Sequence, residues 1–151
     1  MFNLSYTGFA QAWRRHAGIV PLAESGSDAP SAMPDNGAFL ASLALISLGI
    51  PVAGSQCINA GPLSAGRAFT GANAMADWLG ACFSPPETFP IEHGPGDIAD
   101  RLFGRRGIVA FVSGDGPQGG LIGLSDGSNA HSLCAAAHQK YPLEVRFWVL
   151  N

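Results

Sequence analysis

The chain has 151 residues, of which 47% are hydrophobic and 13% charged, a balance that excludes an intrinsically disordered protein. A net charge of −3 with only eight Lys and Arg residues argues against a nucleic-acid footprint or a basic membrane-binding helix. The length suits one hydrophobic core, so we expect a single domain spanning residues 1–151.

The N-terminal region predicts neither a membrane span nor a secretory signal. The longest apolar run, Ala38 to Leu48, falls well short of the roughly 18 residues that a span requires. Arg14 and Arg15 are the first charged residues, and they follow the apolar positions instead of preceding them as in a signal peptide. We therefore expect synthesis in the cytoplasm, and any delivery elsewhere by a route other than general secretion.

The first half of the chain predicts helices separated by loops. Apolar residues at helical spacing indicate a first helix over residues 6–17, which Gly18 should end. Residues 21–36 are rich in Pro, Ser, Gly and Asp, so they should form a surface loop. A second helix should begin near Gly37, with Asp35 or Asn36 accepting hydrogen bonds from its free amides.

The second helix has almost no polar face and should be enclosed on most sides, and Gly49 is a natural left-handed C-cap. An irregular segment should follow over residues 52–67, and then a third helix over residues 68–83. A short helix should cover residues 96–104, with Asp97 as its cap. Its predicted inward-facing residues are Ile98, Leu102 and Phe103.

The second half changes to the two-residue period of β-strands. Residues 107–113 form a β-branched run typical of a buried strand, and a glycine-rich turn joins them to a returning strand over 121–128. Residues 143–151 alternate cleanly and predict a terminal strand, with Val145, Phe147 and Val149 on one side and Arg146, Trp148 and Leu150 on the other. Helices followed by an antiparallel sheet make the fold class α+β.

The cysteines do not indicate a metal site. Cys57, Cys82 and Cys134 lack the short spacing of zinc ligands, so we expect neither a metal nor another cofactor. Buried free thiols are the preferred interpretation. A Cys57–Cys82 disulfide is the alternative, and it would require an oxidising compartment.

An enclosed helix backed by an antiparallel sheet is the arrangement of papain-like cysteine hydrolases. The ordered segments "NGAFLASLALISLGIPV", "AFTGANAMADWL", "LFGRRGIVAFV", "GGLIGLSDGS" and "VRFWVLN" resemble the type VI secretion amidase effectors of the fourth group. Those are papain-like (NlpC-like) bacterial toxins of interbacterial competition, which cut the peptide stems of peptidoglycan. The resemblance implies delivery to a target cell's periplasm without a signal peptide.

The chain departs from this family at its two reactive positions. The stretch that begins at Ser42 sets the register, and it places Gly37 in the slot of the family's nucleophilic cysteine. Leu121 occupies the slot of the histidine, and Asp126 and His131 are the local candidates for the third member. Losing nucleophile and base together costs on the order of 10⁶ in turnover. The expected binding cleft comprises Asn36, Gly37, Ala38, Gly120, Leu121 and Asp126.

Three functions remain open from the sequence. The preferred one is a catalytically silent homologue that binds peptidoglycan stem peptide or a protein partner, such as an immunity protein or a secretion component. The second is an active amidase with a relocated Cys57–His131 site. The third is an oligomeric or structural protein that reuses the fold, with the aromatic edge "RFWVL" as its interface. Ser42 and Ser47 should only bond back to their own helix.

Overall fold

A computed structural model describes residues 4–19, 37–50, 52, 54, 56–57, 67–69, 71–91, 95–114, 116, 119–138 and 142–151. Within these ranges the chain forms five helices and six strands. The helices are α1 (Tyr6–Ile19), α2 (Gly37–Ser47), α3 (Ala72–Cys82), α4 (Pro95–Leu102) and α5 (Ala130–His138). The strands are β1 (Gln56–Cys57), β2 (Arg67–Ala68), β3 (Glu87–Pro90), β4 (Arg106–Val112), β5 (Leu121–Asp126) and β6 (Glu144–Val149).

The main sheet has four antiparallel strands in the order β3-β6-β4-β5. The predicted hairpin between β4 and β5 is present, and its register pairs Phe111 with Leu121 and Ile108 with Leu124. The two-residue strands β1 and β2 form a separate antiparallel ribbon. The predicted α+β class is therefore confirmed.

Helices cover both faces of the sheet, because successive residues of each buried strand point to opposite sides. On one face, α1, α2 and α3 pack against side chains that include Ile108, Ile122 and Trp148. On the other face, α4 and α5 pack against a second set that includes Leu121 and Phe147. Each face thus has its own apolar cluster.

The alternation predicted for the last strand is confirmed. Val145 and Phe147 belong to the cluster beneath α4 and α5, whereas Trp148 and Leu150 belong to the opposite cluster. The expectation that this aromatic stretch is an exposed edge is wrong, because β6 is an inner strand paired with β3 and with β4. Its aromatic side chains are buried in the monomer.

Helix α2 begins at Gly37 as predicted, and it ends with the predicted glycine. Gly49 has a φ of +86°, and its N–H donates to the carbonyl of Ile46 at 3.0 Å. The N–H of Ile50 reaches back to the carbonyl of Leu45, also at 3.0 Å. These two bonds form the Schellman arrangement that satisfies the last carbonyls of a helix. The expected cap at Asp35 or Asn36 and the loop over 21–36 lie outside the described residues.

Several predicted boundaries are wrong. Helix α1 continues through Gly18 to Ile19, and α3 begins at Ala72 because the preceding Ala68 pairs in the β1–β2 ribbon. Helix α4 begins at Pro95, so Asp97 lies inside the helix instead of before it. Ile98 and Leu102 are buried as predicted, but Phe103 lies just beyond the helix and is 61% exposed.

Four elements were not predicted: β3, α5, and the short strands β1 and β2, which pair within and just after the segment expected to be irregular over residues 52–67. Strand β3 lies at the sheet edge and ends in Pro90, which cannot donate a ladder hydrogen bond. The thiols are also only partly as expected. Cys134 is buried and free, whereas Cys82 is exposed and free, which removes the Cys57–Cys82 disulfide.

Candidate functional site

The N-terminus of α2 packs directly on the backbone of β5. A Cβ atom built on Gly37 would lie 2.0 Å from the carbonyl oxygen of Ile122 and 3.0 Å from its carbonyl carbon. Ordinary van der Waals contact begins at 3.4 Å, so no side chain fits here without a backbone movement. Gly37 is one of the expected cleft residues, but the structure leaves no space for a side chain at this position.

Leu121, in the slot of the family's histidine, faces away from Gly37, in the slot of the cysteine. The Leu121 side chain is buried in the cluster beneath α4 and α5, whereas its neighbour Ile122 packs on the side of α2. Since adjacent strand residues point to opposite faces, a side chain at position 121 lies across the sheet from Gly37. The structure does not bring the two slots together around one cavity.

The other expected cleft residues are largely packed as well. Ala38 is buried in the core, and Asn36 lies outside the described residues. Gly120 has a φ of +83°, and a Cβ there would lie 2.5 Å from Asn73 Oδ1 and from the Phe111 carbonyl oxygen. Only glycine combines that left-handed backbone with such a close approach.

Asp126 is exposed and organises the turn that leads into α5. Its Oδ1 accepts hydrogen bonds from the Ser128 N–H at 2.8 Å, the Ser128 hydroxyl at 2.8 Å and the Asn129 N–H at 3.0 Å. The Ser128 amide and the other donors hold the pKa of the Asp126 carboxyl below its ordinary value. Asn129 closes the turn in return, with its Oδ1 accepting from the Asp126 N–H at 3.0 Å. These contacts, to the residues two and three positions further on, are those of an Asx turn that precedes α5.

The two relocated-site candidates lie on opposite sides of the sheet, one in a ribbon packed on α2 and the other in α5. Cys57 is in the β1–β2 ribbon, whose Ala68 packs against Leu43 of α2. His131 is in α5, where its imidazole is 63% exposed and Nε2 lies 3.7 Å from Asp100 Oδ1. A nucleophile and its base need to be within hydrogen-bond reach of each other. This placement of the two elements does not favour such a pair.

Ser42 and Ser47 bond back to their own helix as predicted. Ser42 Oγ donates to the Ala38 carbonyl at 2.9 Å, and Ser47 Oγ donates to the Ala44 carbonyl at 2.8 Å. The fully buried Ser42 hydroxyl also accepts a hydrogen bond from the Phe69 N–H at 2.9 Å. This second bond ties α2 to the segment after β2, and sequence spacing gave no signal for it.

A groove of about 510 Å³ lies between the first half of α3 and the ends of β4 and β6. Asn73 and Asp77 line it from the helix, Val112 and Gly114 from the β4 side, and Arg146 from β6. The sequence did not predict this groove, because its walls come from segments about 70 residues apart. The available signal was Arg146, since a charged residue on an inner strand usually has a buried partner or lines a site. Among the residues that the structure describes, no three His, Cys, Asp or Glu side chains are grouped to hold a metal ion.

Comparison with solved structures identifies the architecture. The type VI effector Tae4 of Enterobacter cloacae in complex with Tai4 superposes with a TM-score of 0.68 at 15% identity, covering 99% of this chain and 100% of that chain. Tae4 of the same organism crystallised alone gives 0.66 at 17% identity over 100% of both chains. Tae4 of Salmonella typhimurium bound to the Enterobacter Tai4 gives 0.64 at 17% identity, covering 97% of this chain and 99% of that chain.

The chain has the fold of these effectors. The predicted papain-like α+β architecture is thereby confirmed along essentially the whole chain. No family model and no curated protein matches the sequence. No helix in the described part of the chain has both the length and the hydropathy needed to cross a bilayer.

Proposed function

We propose that this protein is a catalytically silent homologue of the type VI amidase effectors and acts as a protein-binding module. The observation that carries the proposal is the contact between Gly37 and the Ile122 carbonyl. At the position where the resemblance expects a nucleophilic thiolate, the chain has neither a side chain nor the space for one.

The chemistry of the family requires more than a cysteine at this position. The thiolate must lie beside an imidazole that is held by a third polar group. Leu121, which is in the histidine's slot, carries hydrocarbon and is buried on the opposite face of the sheet. Asp126 is engaged with Ser128 and Asn129 in the turn before α5. These three placements support the loss of hydrolysis.

The retained fold supports a binding role. Structurally similar effectors are seen in complex with Tai4 immunity proteins, including a complex formed across two organisms. We infer that the partner of this chain is a protein of the immunity type. Binding of such a partner depends on the surface that the effector fold presents, and it does not require catalytic residues. Delivery by type VI secretion would bring the chain to the periplasm, where immunity proteins of this kind would meet it.

The decisive experiment is incubation of the purified protein with peptidoglycan sacculi, followed by chromatography of the released peptide fragments. We expect release no greater than in a buffer blank, beside an active papain-like amidase as positive control. Release at a rate comparable with the positive control would overturn the silent assignment. The binding role is tested separately by calorimetry with Tai4 of Enterobacter cloacae, where saturable one-to-one binding is expected. An absence of heat at saturating concentrations would refute the immunity-type partner.

A further inference from the structure

The groove between α3 and β6 has rigid walls. Asn73 uses its whole side-chain amide there: Nδ2 donates to the Ser113 carbonyl at 2.8 Å and to the Gly116 carbonyl at 2.7 Å, and Oδ1 accepts from the Ser113 N–H at 3.2 Å. The Asn73 N–H donates to the Gly119 carbonyl at 3.0 Å. Ser113, Gly116 and Gly119 are thus tied to the start of α3, and this side of the groove is in place before any ligand arrives.

The floor of the groove is an ion-paired guanidinium. Arg146 is only 23% exposed, and it donates to Asp77 Oδ1 at 2.7 Å and to Glu144 Oε2 at 3.0 Å. Two carboxylates therefore surround one cation, which leaves this group with a net charge of −1. The Asp77 side chain is 75% exposed, so one face of its carboxylate remains in the solvent at the mouth of the groove.

The opposite rim of the groove is apolar. Val112 lines the groove, and the Leu143 side chain, 65% exposed, lies beside Gly114, where a Cβ would be 3.6 Å from Leu143 Cδ1. A Cβ at Gly116 would meet no atom within 4 Å, so the rim is low and open at that point. An exposed leucine beside Gly114, which lines the groove, offers contact area to an aliphatic side chain.

We propose that this groove binds a protein segment that presents a lysine next to an aliphatic residue. The lysine ammonium pairs with the free face of the Asp77 carboxylate, and the aliphatic side chain covers Leu143 and Val112. The net charge of the floor selects a cation over an anion, because a carboxylate would have to displace Asp77 and face Glu144. This inference does not depend on whether the chain is catalytically silent.

Two matched dipeptides test the proposal. Acetyl-Leu-Lys-amide and acetyl-Leu-norleucine-amide differ only in the ammonium group, and each is titrated into isotope-labelled protein. We expect saturable amide shifts at Ala74, Gly114 and Gly116, with the lysine peptide binding about two- to five-fold more tightly, since a solvent-exposed carboxylate forms only a weak ion pair. Added salt should reduce this preference, since the Asp77 carboxylate is exposed to solvent.

Asp77→Asn is the test variant, and Asp100→Asn is the matched control. Asp100 is also an exposed carboxylate, but it lies on α4, on the other side of the sheet. We expect Asp77→Asn to abolish the preference for lysine and Asp100→Asn to keep it. The proposal is wrong if both peptides bind equally, if neither saturates at about 10 mM, or if the preference survives in Asp77→Asn.

Discussion

Replacing Gly37 with alanine should destabilise the protein, although alanine is normally the better helix former. The added Cβ would lie 2.0 Å from the Ile122 carbonyl oxygen, so α2 or β5 must move by at least about 1 Å to restore normal contact. Overpacking of this kind typically costs about 1–3 kcal/mol. The helix-propensity gain of up to about 1 kcal/mol offsets only part of that. Since the contact is with backbone atoms, the cost should lie at the upper end of this range, and we expect a net loss of about 2 kcal/mol.

The assay is urea unfolding followed by circular dichroism, with the midpoint compared at an unchanged m-value. Gly80→Ala is the matched control because Gly80 also lies in a helix, and its Cβ would meet only Pro86 Cδ at an ordinary 3.7 Å. That variant should be as stable as the parent or more stable by up to about 1 kcal/mol. If Gly37→Ala were as stable as Gly80→Ala, the end of α2 would have to stand clear of β5, and the argument for a closed site would fail.

Further predictions concern the same helix, the thiols and the turn before α5. The double variant Gly37→Cys with Leu121→His should release no peptide from peptidoglycan, because the sheet would separate the two new side chains. Measurable release would show that positions 37 and 121 do not lie on opposite sides of the sheet. Ser42→Ala should lower the unfolding free energy by about 1–3 kcal/mol, because the Phe69 N–H loses its partner, whereas Ser47→Ala should cost less than about 0.5 kcal/mol. Cys82 is exposed and should react with iodoacetamide in the native protein at pH 8. Cys134 should react only after unfolding, because burial raises the pKa of its thiol to about 11. Peptide mass spectrometry distinguishes the two labelled sites, and equal labelling of both in the native protein would contradict the structure. Asp126→Ala should destabilise the protein by about 1 kcal/mol at neutral pH, because the turn before α5 loses its acceptor. Because the pKa of Asp126 is lowered in the folded state, this difference should be present above the ordinary carboxyl pKa of about 4 and shrink as the pH falls below it. A difference independent of pH would exclude a contribution from the charged carboxylate.

Local patterns were sufficient to predict α2 and β6. An apolar run closed by Gly49 predicts a buried helix wherever it is placed, and the alternation from Val145 to Leu150 assigns each side chain to one face of a sheet. Both signals arise from a few neighbouring residues. The class of the fold followed from the order of such segments.

The rest depended on contacts between distant segments. Strand β3 is short, and it is a strand because it pairs with β6, while α5 starts from the Asp126 turn instead of from a marked amphipathic pattern. The predicted pairing of Gly37 and Leu121 in one cleft also depended on contacts between distant segments. The resemblance places Leu121 in the histidine's slot, but the side of the sheet that this residue faces is set by the pairing of β5 with β4. The close approach at Gly37 is likewise a tertiary contact.

The amide of Asn73 has a consequence for how the protein fluctuates. Because one side chain satisfies backbone groups of both Ser113 and Gly116, the hairpin tip cannot open without breaking bonds to the start of α3. Tip and helix should therefore exchange their amide hydrogens as one cooperative unit, with similar protection. Ser113 and Gly116, which follow the end of a strand and would otherwise be among the first residues to open, thus acquire the local stability of a helix.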